Sequence, residues 1–186
     1  YGRSKRPDLS NTTFFLDALK ASGATAADEA VKKALVFVSR CQNLETEANT
    51  TEFSAKNPDG GFYYTPAAGG ASQAGKTEQG CLRRYASMAY AGLKSMIYAG
   101  LSKDDPRVKA AWDWIGKTYT VDVNPGFVTN DPKNGDMSRY GLYYYYHTMA
   151  RALNVYDEPI ITDSKGVKHD WRVELSDKLA SLQKPD

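Results

Sequence analysis

Cysteine is scarce in this chain of 186 residues: the two present, Cys41 and Cys81, permit at most one bridge and exclude a disulfide-stapled scaffold. Neither stands beside another Cys or a His at zinc-finger spacing, so redox compartment and localisation stay open. An excess of one charge is also missing. With 24 Lys+Arg against 22 Asp+Glu the formal balance is +2, too small to build a field for nucleic acid or an anionic membrane surface, and no nucleic-acid partner is expected. No run of apolar/polar alternation is long enough for a sheet. Long apolar runs are lacking too: the nearest, residues 85–101, has Lys94 at its middle and is diluted by Ser, Gly and Tyr, so a buried helix rather than a membrane span is expected there. At 41% hydrophobic and 25% charged, the composition is that of a globular protein with enough chain for one sizeable core.

Helical spacing fills most of the rest. A first helix is expected to start after Ser10 or Asn11 and to run through Phe14, Phe15, Leu16 and Leu19 to Gly23. A second opens at Asp28 with the stripe Val31, Ala34, Leu35, Val38. A third, from near Leu82 to Leu101, is apolar nearly all round, and a fourth follows the cap-and-proline signal Asp105-Pro106 with the stripe Val108, Ala111, Trp112, Ile115. The fifth, Gly141 to about Tyr156, is apolar and aromatic except for Arg151, and the sixth, from Asp170, is amphipathic again.

Buried and amphipathic helices therefore alternate, which is an internal repeat of helix pairs. Gly23 and Gly100 close the first and third helices 77 residues apart (100 − 23), and at the same offset Val31 falls on Val108, Lys32 on Lys109 and Ala34 on Ala111. Three pairs of one fully buried and one half-buried helix fit a two-layer ring or solenoid.

The second helix is followed by Gln42 and then by Asn57-Pro58-Asp59-Gly60-Gly61-Phe62, and the sixth ends in Gln183-Lys184-Pro185-Asp186. This punctuation resembles the Gln-x-x-Asp-Gly-x-Trp/Phe repeat of the terpenoid cyclase and protein prenyltransferase superfamily, over essentially the whole chain. The resemblance implies an all-α fold, an α/α toroid of inner and outer helices around a central apolar cavity, and a single domain over residues 1–186. Such rings usually have six pairs; three pairs with both ends cut are expected to be about half a ring and a fragment of a longer chain. An open half-ring exposes inner-helix faces, so association with the missing half, or with a second copy as a homodimer, is expected.

The resemblance further implies an isoprenoid or other apolar small molecule as ligand. Squalene-type cyclases protonate an alkene with an Asp-x-Asp-Asp string, which this chain does not contain; a cyclase-type enzyme would need its acid in the other repeats. Protein prenyltransferases hold zinc with Asp, Cys and His. Tyr145-Tyr146-His147-Thr148 is similar to the segment around that His, but Arg83 and Tyr85 stand where Asp and Cys would be needed, so neither a metal site nor a cofactor is expected. The catalytic residues remain unassigned, and a filled, structural or protein-interaction toroid is the rival from another class.

Thirteen tyrosines, several of them in the buried helices, invite an aromatic-walled site. His147, with Tyr143 and Tyr146 on its helical face, either projects into that cavity or is a buried histidine bonded to a neighbour. Tyr85 and Tyr90 on the third helix complete the expected wall, and Arg84 at its start calls for a carboxylate partner, an anionic ligand or solvent. The small-residue segment 67–75 lacks the spacing of a phosphate loop and is read as a mobile loop near the ring mouth.

Overall fold

Four of the six α-helices of the computed structural model, which describes residues 6–54 and 56–184, begin where some group takes their first, otherwise orphaned amides. For α1 (Leu9–Ala21) that group is Asp8, whose carboxylate accepts from Asn11 N at 2.8 Å and from the Asn11 side chain at 2.7 Å. Ser10 and Asn11, the expected caps, lie inside the first turn instead. α2 (Glu29–Arg40) follows Asp28, but that side chain turns back to Thr25 rather than capping the helix.

α3 (Ala86–Tyr98) starts four residues later than the pattern from Leu82 predicts, because Leu82 pairs with Lys76 in a β-bridge and the backbone stays extended through Tyr85. Its first amides are taken from a distance: Ala86 N by Pro125 O at 2.8 Å and Ser87 N by Asn124 Oδ1 at 3.2 Å. α4 (Pro106–Thr118) is capped as expected by Asp105, α6 (Trp171–Leu182) starts after Asp170, whose carboxylate caps it, and α5 (Leu142–Tyr156) follows Gly141.

The all-α expectation needs one correction. Between α5 and α6, β1 (Ile160–Thr162) and β2 (Lys168–Asp170) pair antiparallel, with Ile161 opposite His169. Three-residue strands show too little alternation to be seen in sequence. The hairpin is held at its turn, where the Asp163 carboxylate accepts from Lys165 N and Val167 N, both at 2.8 Å. The final Pro185-Asp186 of the expected terminal repeat signal lies outside the described residues. Cys41 and Cys81 are unbridged.

The helix-pair repeat is reproduced in backbone hydrogen bonds. Ala24 N bonds Leu19 O and Leu101 N bonds Met96 O; Asp28 N bonds Thr25 O and Asp105 N bonds Ser102 O, each at the same offset of 77 (101 − 24). Gly23 and Gly100 stand at φ +87° and +90°, the left-handed helix ends that favour glycine.

Gln42 links the two amphipathic members: its Nε2 donates to Gly60 O at 3.0 Å and to Arg107 O at 2.9 Å, joining the end of α2 to the start of α4. Gly60 presses on the Ala110 backbone so closely that any Cβ there would overlap it. Phe62, wholly buried, fills the space that a side chain at Gly92 of α3 would need. The Asp-Gly-Gly-Phe string is therefore an architectural joint between helices.

α3 packs against α1, α2, α4 and α5, and every residue from Ala86 to Met96 is buried. One of them is Lys94. Its Nζ meets Asp17 Oδ2 of α1 at 2.7 Å, and Arg151 of α5 approaches the same oxygen at 3.5 Å. Burial holds the Lys94 ammonium below its usual pKa, against the opposing pull of Asp17. Asp17→Ala leaves Lys94 buried without its counter-charge and should cost about 3–5 kcal/mol, whereas Lys94→Met leaves Asp17 with Arg151 and should cost roughly half as much or less. Urea unfolding of the two variants checks the order; equal losses would refute the role given to Asp17.

Candidate functional site

The first turns of α1, α3 and α5 meet around a cavity of about 220 Å³. Its walls are aromatic: Tyr64, Tyr85, Phe127, Tyr140 and Tyr144, with Met88 from α3. Tyr85 and Phe127 meet edge to face with ring centres 5.0 Å apart, and Phe127 leans on Tyr140 at 5.3 Å. The polar lining is small, consisting of Ser10, Gln73, Ser87 and Asn124 beside the tyrosine hydroxyls.

Most of these polar groups are engaged in holding the site. Asn124, almost fully buried, accepts from Ser87 N and donates to Ser87 Oγ at 3.2 Å and to Tyr140 O at 3.0 Å. One side chain thus caps α3 and anchors the loop that carries Phe127 and Tyr140. Ser10 Oγ and Tyr144 Oη lie 2.9 Å apart, closing the gap between α1 and α5. Burial raises the Tyr85 phenol well above its ordinary pKa and raises those of Tyr64 and Tyr144, so all three are neutral at physiological pH. The cavity therefore offers apolar and π surface with a few neutral hydrogen-bonding groups, the usual chemistry of a small-molecule site.

Of the residues expected from sequence, the structure brings Tyr85 to this wall. Tyr90 is sealed in the core, its ring centre 5.8 Å from that of Tyr145, and burial pushes its phenol well above the ordinary value. Tyr146 is buried and donates to Val121 O at 2.6 Å. Tyr143 is 66% exposed, at a shallow hollow that shares Gly141 and Tyr144 with the cavity. His147 is on the exposed side of α5, neither in the cavity nor buried. Arg84 pairs with Asp59 at 2.5 Å and lines a separate, polar cleft.

Tyr64, Phe127, Tyr140, Tyr144 and Asn124 were not expected. A signal for part of this set exists: Asn124-Pro125-Gly126-Phe127 repeats the Asn-Pro and Gly-Phe elements of Asn57-Pro58-Asp59-Gly60-Gly61-Phe62. Among the described residues, no group of three or more His, Cys, Asp or Glu side chains could hold a metal ion, and no helix is long and apolar enough to cross a membrane.

No family model, no curated protein and no solved structure matches the chain.

Burial keeps Tyr63, Tyr85, Tyr90, Tyr119 and Tyr145 protonated to well above the ordinary tyrosine pKa of about 10. Above that pH the unfolded chain releases these protons first, so stability, unaffected below about pH 10, falls as pH rises further. Alkaline titration should show tyrosinate absorbance from these residues rising together with loss of the helical signal. Their stepwise ionisation in a chain that stays helical would contradict the burial described.

Proposed function

We propose that the chain is a squalene-cyclase/prenyltransferase-like repeat domain, part of an α/α toroid, that binds a largely apolar small molecule of isoprenoid type in the cavity at the first turns of α1, α3 and α5. The observation that carries this reading is the wall of Tyr64, Tyr85, Phe127, Tyr140 and Tyr144 with a sparse neutral polar lining. The packing of α3 between α1 and α5, with α2 and α4 also against it, and the Gln42 link between α2 and α4 support the inner-and-outer arrangement.

At about 220 Å³ the cavity lies just under the range of about 300–1,000 Å³ of typical ligand sites, so it suits a short apolar body or one end of a longer one. In a cyclase-type enzyme these π faces would stabilise a carbocation, with the acid supplied from outside this stretch. A second reading, a toroid that binds protein partners, is favoured by Phe14 and Phe15 on α1, each 48% exposed, together with the exposed Tyr143.

Titration calorimetry with geraniol, a ten-carbon isoprenoid alcohol, separates the two. Saturable binding is expected, about tenfold weaker in Tyr140→Ala, because losing one aromatic wall removes 1–2 kcal/mol of contact. Tyr140 is 52% exposed, so this variant should keep its unfolding free energy within roughly 0.5 kcal/mol of the parent. His147→Ala should bind as the parent does. Absence of binding, or loss in His147→Ala and not in Tyr140→Ala, would remove the cavity as the site.

A further inference from the structure

Backing onto the aromatic cavity is a polar cleft of about 440 Å³, within the size range of small-molecule sites. The two hollows share no lining residue, yet they share a wall. The backbone is extended at Tyr85 (φ −151°, ψ 153°), so Arg84 faces the cleft while Tyr85 faces the cavity, and Gly126 and Phe127 divide in the same way.

Charge in the cleft comes from two guanidinium groups. Arg84 is engaged: its Nε meets Asp59 Oδ2 at 2.5 Å, and with the Asn57 amide turned to present its oxygen, Nη1 and Nη2 donate to it at 2.6 and 2.9 Å. Arg83 is engaged only through Nε, which donates to Lys76 O at 3.0 Å; among the described residues its two terminal nitrogens meet no carboxylate. With Asp59 cancelling Arg84, the cleft carries one net positive charge, presented as a planar fork of two N–H donors that matches a carboxylate.

Around the fork stand groups suited to hydroxyls. Gln79 and Thr77 contribute an amide and a hydroxyl, and Trp114, 5% exposed, has an indole N–H without a hydrogen-bond partner among the described residues. Gly61 leaves room for that indole: a Cβ there would stand 2.6 Å from both Trp114 Nε1 and Arg84 Cγ. The rest of the Trp114 side chain is buried, and its N–H opens onto the cleft, where a ligand hydroxyl can take the place of water.

We propose that this cleft is a second binding site, independent of the aromatic cavity, for a small hydroxylated monocarboxylate, a sugar acid or related hydroxy acid. Its carboxylate bridges the free nitrogens of Arg83, and its hydroxyls meet Gln79, Thr77 and the Trp114 N–H.

Titration calorimetry of the full chain with sodium gluconate, glucose and inorganic phosphate tests it. Gluconate should bind saturably at one site per chain, and glucose, which leaves the Arg83 fork unpaired, at least about tenfold more weakly. Arg83→Gln should lose about tenfold or more, Arg83→Lys nearly as much because the fork is lost with the charge kept, and Gln79→Ala severalfold. Lys168→Gln, on the exposed hairpin, should bind as the parent does. Circular dichroism and unfolding midpoints establish that each variant is folded. No saturable heat with gluconate, equal affinity in folded Arg83→Gln, or phosphate binding as tightly as gluconate would each overturn the proposal, the last by reducing the cleft to a simple ion site.

Discussion

Complete burial of α3 is the constraint on which the rest of the structure depends. A helix covered on every side from Ala86 to Met96 has to be met by neighbours at close range, and its Ala, Ser and Gly positions let them approach. Phe62 fits against Gly92, and Thr13 of α1 meets Ser95 hydroxyl to hydroxyl at 3.1 Å. Lys94 then fixes the register. Its charge can be buried only where Asp17 reaches it, so sliding α1 along α3 by one turn would strand an ammonium in the core. Arg151 brings α5 to the same carboxylate. With α1 and α5 held on α3 in this way, their first turns converge and the cavity between them follows.

The loop that follows α4 completes the site, because α3 has no capping side chain of its own. Pro125 and Asn124 supply the missing acceptors, and in doing so they carry Phe127 and Tyr140 to the cavity and Gly126 to the polar cleft. Gly126 is needed there: at φ +102° it lies against the Arg84 and Tyr85 backbone, where a Cβ would collide. Capping of one helix and construction of two hollows are the same event, so a change in this loop acts on stability and on both hollows together.

The repeat of the first two helix pairs was legible in the sequence because it rests on local rules, namely apolar periodicity and left-handed glycines, which the backbone obeys at the offset seen in Gly23 and Gly100; the expected burial was not, since only α3 is covered all round, while α1 exposes Phe14 and Phe15 and α5 exposes Tyr143 and His147. Leu82 misled because an apolar residue next to a helix looks the same whether it is in the helix or pairs in a bridge with Lys76. The hairpin escaped because Ile160–Thr162 and Lys168–Asp170 are too short to show a period. For the site, helical spacing could group Tyr143 with Tyr146 and His147 but could not say which side of α5 the neighbouring helices would cover. Tyr144 reaches the cavity through its partner Ser10, 134 residues away, a relation no local pattern contains.

Tyrosine abundance is itself a weak pointer to a ligand, and the hydroxyl partners explain why. Tyr63 Oη donates to Arg40 O, the last residue of α2, while Tyr145 and Tyr146 donate to Thr120 O and Val121 O just beyond α4, all at 2.6 Å. Helix ends leave carbonyls without partners, and a phenol delivers a donor to them while its ring fills the core. Phenylalanine at these positions would pack equally well and leave a carbonyl unsatisfied, so the choice of tyrosine there is a matter of backbone accounting. Tyr85 and Tyr140 make no such bond among the described residues. Their hydroxyls are not required by the backbone, but the Tyr90 and Tyr119 hydroxyls also lack partners among the described residues and lie away from the cavity, so it is the lining position of the Tyr85 and Tyr140 rings that sets them apart.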